Sequence, residues 1–378
     1  ISECDWSSDV CSSDLTKSIL LGMALAIMPA FSMADNNVKM VVGTYTDAGS
    51  EGLYSFDFDQ VTGTATELSS LKIDDPSYFT FSKNGRYIYA VSEKNNSLAV
   101  LNSIGFDPTK GTFSFMNSQL THGADPCYVA TNGKIAVTAN YSGGSLSVFP
   151  ILANGTLDKS LVLMSSKKMG PNRTRQNQPH FHCTIFTPDN YILTTDFSGD
   201  RILSFTYNAK EKKLEDRGIA AHVRPGSGPR HLVFEPNGRY AYLMNELSGK
   251  VIAYQYKDGK LKEIQTVVAD DAHAQGGADI RISPDGNFLY ASTRLKGDGI
   301  TIFKLGGDGS LRRVGVQKTG RHPRNFAITP NGKYLLVACR DDNTIQVYSR
   351  DKSTGMLTNT HQDIDLSHPA CIRFYPEK

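Results

Sequence analysis

The segment RHLVFEPNGRYAYLMNE, residues 230–246, alternates apolar and polar side chains on both sides of an Asn-Gly pair and ends on a carboxylate. A period of two marks a half-buried strand, and Asn-Gly between two such runs is hairpin chemistry. The phrase recurs as SYFTFSKNGRYIYAVSE (77–93), CYVATNGKIAVTAN (127–140), HCTIFTPDNYILTTD (182–196), DIRISPDGNFLYASTR (279–294) and RNFAITPNGKYLLVACR (324–340). Two-residue turns are expected at Asn84, Asn132, Asp189, Asn237, Asp285 and Asn331, at intervals of 48, 57, 48, 48 and 46 residues. Hairpin repeats of this period predict propeller blades.

A third strand follows each hairpin, as in SGKVIAYQY (248–256), and an outer hairpin with G-x-L or G-x-F follows that. Six four-stranded antiparallel repeats leave VKMVVGTYTDAGSEGLYSFDFD (38–59) and HPACIRFYPEK (368–378) over. Pairing these two ends makes a seventh blade and removes an open sheet edge. The expectation is an all-β, seven-bladed β-propeller whose last blade is closed by both termini. Residues 208–220 are the one stretch that suits a short helix, and a charged outer hairpin accounts for them equally well. The only Trp is Trp6, so the propeller cannot carry a Trp-Asp signature in each blade.

The 378 residues carry 40 Lys and Arg against 38 Asp and Glu, which speaks against a nucleic-acid partner. Residues 1–15 put four acids ahead of an apolar run, where a secretion signal has bases, and read as a non-native, adaptor-derived segment. Residues 16–34 read as a signal peptide: Lys17, an apolar run from Ile19 to Phe31, then Ser32-Met33-Ala34. The run is too short for a membrane span, so a periplasmic domain of residues 35–378 with no membrane contact after cleavage is expected. Cys127, Cys183, Cys339 and Cys371 lie in apolar runs without metal or redox spacing and are expected as free buried thiols.

Antiparallel pairing brings the start of each innermost strand and the end of its neighbour to one mouth of the ring. The starts hold His122 to Cys127, His180, His182, Arg230, His231, His322, Arg324 and His368; the ends hold Glu93, Asn140, Asp196, Glu246, Arg294 and Arg340. Arg can grip a carboxylate or phosphate, and His with a carboxylate can move a proton. His180 and His182 share a strand face, but no third ligand stands at a suitable spacing, so neither metal nor cofactor is expected. There is no G-x-S-x-G elbow and no Gly-rich phosphate loop. Water attack or proton transfer without a covalent intermediate is the expected chemistry.

These residues resemble the seven-bladed-propeller lactonase family, which includes bacterial 6-phosphogluconolactonases of the propeller type and fungal carboxy-muconate lactonizing enzymes. The resemblance rests on GTYT (43–46), DPSY (75–78), DPCYVA (125–130), ANYSGGSLSV (139–148), RQNQPHFH (175–182), GSGPRHLVFEPNGRYAYLMNEL (226–247), RISPDGNFLYASTR (281–294) and PRNFAITPNGKYLL (323–336). It implies a catalytic set of His182, Arg230, Glu246 and Arg294, with Arg175 and Gln176 on the 165–179 insertion over the mouth. His180, His231, Glu93, Asp196 and Arg324 complete the expected substrate-binding rim. TTDFSGDR (194–201) and STRLKGDG (292–299), with its extra residue or two after Arg294, depart from the family pattern. The expected activity is hydrolysis of a small anionic lactone, with Glu246 or His182 activating water and Arg230 and Arg294 holding the anion. A muconate-type cycloisomerase and a non-catalytic binding propeller are the alternatives. A closed ring needs no partner to cover its edges, so a monomer is expected.

Overall fold

In the computed structural model residues 36–376 are described, and they form seven antiparallel sheets. The segments read as adaptor-derived and as signal peptide, 1–15 and 16–34, lie outside the described residues. Blade 1 runs from Phe79–Phe81 to Thr112–Leu120, blade 2 from Pro126–Thr131 to Leu161–Ser165, and blade 3 from Phe181–Phe186 to Lys213–His222. Blade 4 spans Pro229–Phe234 to Lys260–Val268, blade 5 Gly277–Ile282 to Leu311–Lys318, and blade 6 Pro323–Ile328 to Leu357–Asn359. In blade 6 a short fifth strand, Ile364–Asp365, shares the outer edge. The ambiguous stretch at 208–220 is the outer hairpin of blade 3, and the described residues contain only one short 3₁₀ turn, Arg340–Asp342.

Blade 7 is built from both ends of the chain: Pro369–Phe374 is its innermost strand, paired with Asn37–Thr44 from Met40↔Phe374 to Thr44↔Pro369. This closes the ring with backbone hydrogen bonds where an open edge would otherwise stand.

The inner hairpin turns are wider than two residues. Only the second turn residue, Gly85, Gly133, Asn190, Gly238, Gly286 or Gly332, sits at positive φ, whereas a two-residue type I′ turn needs both. In blade 4 the Asn237 Oδ1 accepts the Arg239 amide at 2.8 Å, and the Glu235 amide meets the Tyr240 carbonyl at 2.9 Å, so the loop holds four residues. The side chain's own hydrogen bond to the backbone offers this wider turn.

The outer-hairpin glycines fasten blade to blade. Gly155, Gly309 and Gly355 adopt φ of 86, 81 and 78°, and each carbonyl accepts a hydroxyl from the preceding blade: Tyr89 at 3.2 Å, Tyr242 at 3.2 Å and Tyr290 at 2.8 Å. A β-carbon on Gly155 or Gly309 would lie 2.4 or 2.5 Å from the ring of Tyr87 or Tyr240, which explains the recurrent G-x-L.

Candidate active site

The innermost strands do not pair evenly. Near its start each of six carries a bulge, and the register steps across Cys127, His182, Arg230, Arg324, Ala370 and, in blade 5, the pair Ala278-Asp279. A bulge leaves one residue out of the ladder and re-aims its side chain. His182, Arg230 and Arg324 are such residues, which is how strands buried on both faces deliver polar groups to the channel mouth. The other half of the site comes from second-strand ends, where Glu93, Glu246 and Arg294 follow directly on Ser92, Asn245 and Thr293.

Glu246 is the centre of the arrangement. Its Oε1 accepts from Arg175 Nη2 at 2.6 Å, and its Oε2 accepts from Arg230 Nε at 2.8 Å and faces Arg294 Nη2 at 3.3 Å. Burial alone would raise the Glu246 carboxyl, but Arg294, Arg230 and Arg175 outweigh it and hold it at about 2. Across the mouth, Glu93 accepts from Tyr45 Oη at 2.9 Å and from Ser77, and it faces Arg324 Nη2 at 3.5 Å. Arg324 also lies over the Tyr45 ring, 5.1 Å from its centroid. Four guanidiniums thus meet two carboxylates.

A family model described as Lactonase, 7-bladed beta-propeller matches residues 39–374. The chain belongs to that lactonase family. The propeller is 35% identical over 345 residues to a protein of Bacillus subtilis (strain 168) named 6-phosphogluconolactonase, covering 88% of this chain and 97% of that one. It matches the crystal structure of a provisionally named 6-phosphogluconolactonase from Bacteroides uniformis at 52% identity and TM-score 0.87, over 90% of this chain and 99% of the other. The structure of the Pseudomonas aeruginosa periplasmic gluconolactonase, PpgL, matches at 30% identity and TM-score 0.85, with the same coverage.

In this lactonase-family propeller four imidazoles line the site, and each is held neutral. His182 stands 5.2 Å from the His231 ring and 5.6 Å from the Tyr141 ring, measured between centroids. Burial, then Arg230 and His231, press it well below the usual histidine value. His231 donates through Nδ1 to Asp279 Oδ1 at 2.8 Å, so its Nε2 lone pair faces Arg230 Nη1 at 3.4 Å. Burial and then Arg230 lower it to about 3, with Asp279 opposing. His322 has its Nε2 3.2 Å from Arg294 Nη1; burial, Arg294 and Arg340 lower it to about 3. His180 stacks on Tyr141 at 3.9 Å with Nδ1 2.8 Å from the Tyr141 carbonyl, and burial lowers it.

Two expected rim groups do not join the cluster. Asp196 spends its carboxylate on Arg201 Nε at 2.9 Å, the Gly199 amide at 2.9 Å and Ser166 at 3.0 Å, bracing the turn into the third strand of blade 3. Gln176 is fully buried; it donates to the Phe197 carbonyl at 2.8 Å and accepts the Asn172 amide at 3.2 Å, so it folds the insertion that carries Arg175. Both are polar groups in or beside a loop at the mouth, and alternation cannot tell a rim group from a turn brace. Nor do all six rim histidines converge: His122 is exposed, and His368 pairs with Asp47 at 2.7 Å. Among the described residues no three His, Cys, Asp or Glu side chains group as a metal site requires.

Sequence reasoning missed Asp279, Asn325, Tyr45 and Tyr141. Asp279 and Asn325 follow directly on Ala278 and Arg324, at the place His231 holds after Arg230. Aligning the blades at that position would have found them.

Proposed function

We propose that this chain hydrolyses a small anionic lactone, sugar-derived or carboxylated, by attack of an activated water. The observation that carries the reading is the charge imbalance at one mouth: Arg175, Arg230, Arg294 and Arg324 against Glu246 and Glu93, with the neighbouring histidines neutral. Burial and the surrounding guanidiniums press Arg294 below its ordinary value, with Glu246 offsetting part of that. A substrate anion relieves the same repulsion. The lactonase and gluconolactonase names of the relatives agree with this chemistry.

Arg324 is the anchor for the substrate's own charge, because its nearest carboxylate oxygen is 3.5 Å away and its donors are the least engaged of the four. Arg175 is the outermost of the guanidiniums on Glu246, with its side chain 35% exposed against 2% and 7% for Arg230 and Arg294. It turns from Glu246 to the incoming anion. Glu246 then loses one of three neighbouring cations, its basicity rises, and Oε1 is free to take a proton from the attacking water. Arg230 and Arg294 offset the negative charge that develops on the carbonyl oxygen. His182, neutral and without a hydrogen bond to Nε2 among the described residues, orients the same water by accepting a hydrogen bond from its second hydrogen, and Glu246 returns the proton it took to the departing ring oxygen. Collapse of the tetrahedral adduct breaks the ring C–O bond and leaves a hydroxy acid.

The periplasmic assignment is part of the proposal and rests on the pattern of residues 16–34 and on the periplasmic relative. There an unphosphorylated aldonolactone is the more accessible sugar substrate. Proton release by the purified protein on glucono-, galactono- and 6-phosphoglucono-lactone, each corrected for spontaneous opening, tests the reading. Acceleration of at least one is expected; none, from a folded protein, overturns it.

A further inference from the structure

The innermost strands line the channel in three layers. The bulge layer holds Arg230, His182 and Arg324. The next residue in each strand gives a second layer in which Tyr78 stacks on Tyr128 at 4.1 Å, His231 packs edge-on to both, and Asp279 bonds His231 and Asn325. This layer is a plug across the channel. Two residues further on, strand alternation returns to the channel, and the third layer holds Arg281 and Arg373.

These two arginines line a cavity of about 230 Å³ with Ile282, Ile328, Ile372 and Phe374, on the far side of the plug from Glu246. Arg281 donates through Nε to Asp279 Oδ2 at 3.0 Å, but its Nη2 is buried without a partner. Arg373 donates to Tyr78 Oη at 2.6 Å and to the Phe79 carbonyl at 3.3 Å. Among the described residues no carboxylate lies within 4.0 Å of it, because the only acid in the layer above, Asp279, is already shared by Arg281, His231 and Asn325. Two guanidiniums therefore face one cavity with a single carboxylate between them. A buried donor without a partner destabilises the fold, and paired cations at low dielectric repel.

We propose that this opposite mouth is a second anion site, independent of the lactone site, which holds a small oxyanion of phosphate or short-carboxylate size between Arg281 and Arg373. Arg281 Nη2 and the remaining Arg373 donors grip the oxygens, while the isoleucines and Phe374 exclude anything larger.

The test is a thermal-unfolding titration with inorganic phosphate at constant ionic strength on the full chain, Arg324→Met and Arg373→Met. When phosphate exceeds its Kd about a hundredfold, a rise of roughly 3–4 °C is expected. That rise persists in Arg324→Met, whose lactone-site anchor is gone, and is lost in Arg373→Met. A rise that persists in Arg373→Met and vanishes in Arg324→Met, or no rise in any form, overturns the proposal. Crystals of the unaltered protein soaked in bromide give a second reading that does not depend on the variant folding. An anomalous peak between Arg281 and Arg373 is expected, and its absence from crystals that show bromide elsewhere contradicts the site.

Discussion

At the scale of single residues, charge decides who does what. The surrounding guanidiniums keep Glu246 ionised through the neutral and mildly acidic range, and burial with the same cations keeps the site histidines neutral there. The rate on a lactone should therefore be flat from pH 7 to 5, after correction for spontaneous opening. An acidic limb near 6.5 would mean that a histidine titrates in the reaction and would contradict the assignment. Arg324→Met should raise KM at least tenfold with a smaller loss in kcat, since an anion anchor acts on ground and transition states alike; steady-state kinetics would separate the two. Most of this cluster was legible in the chain, because polar residues at the ends of apolar strands have few structural excuses. Asp196 and Gln176 were not separable from it, since their partners, Arg201 and Phe197, are brought to them by turns rather than by period.

Elements carry the next set of constraints. The blades and their order could be read from the hairpin repeat, but the bulges could not, because a bulge leaves alternation almost intact while moving one residue out of the ladder. That step is what turns His182, Arg230 and Arg324 toward the mouth. The hairpin glycines separate backbone strain from packing. Gly309→Ala meets the Tyr240 ring at 2.5 Å as well as a positive φ, whereas Gly133→Ala meets only the backbone strain, with nothing near its β-carbon. The first should cost roughly 2–3 kcal/mol and the second about 1 kcal/mol by urea unfolding. Equal losses would mean that the seat of the glycine against the neighbouring blade contributes nothing.

For the whole molecule, closure and protonation govern stability. A chain stopped before Pro369 loses the strand that joins both ends, and its unfolding should broaden or vanish in a calorimetric scan. A single sharp transition would show that the ring holds without closure. The site histidines take up protons less readily folded than unfolded, so the unfolded chain binds the extra protons as pH falls below about 6.5. Stability should therefore decline from pH 7 toward 4 while the rate stays level. Glu246 acts in the same direction over a lower window: its depressed carboxyl adds stability above about pH 4.5, and that share fades as pH falls toward 2. Monomeric behaviour is expected of a ring with no unpaired inner edge, and light scattering would check it.

The role of Glu246 as the base is tested by proton release on a hydrolysed lactone by the unaltered protein and by Glu246→Gln under identical conditions. A loss of well over tenfold in kcat with the far-ultraviolet spectrum unchanged is expected. Turnover close to that of the unaltered protein would remove Glu246 from the chemistry and contradict the mechanism.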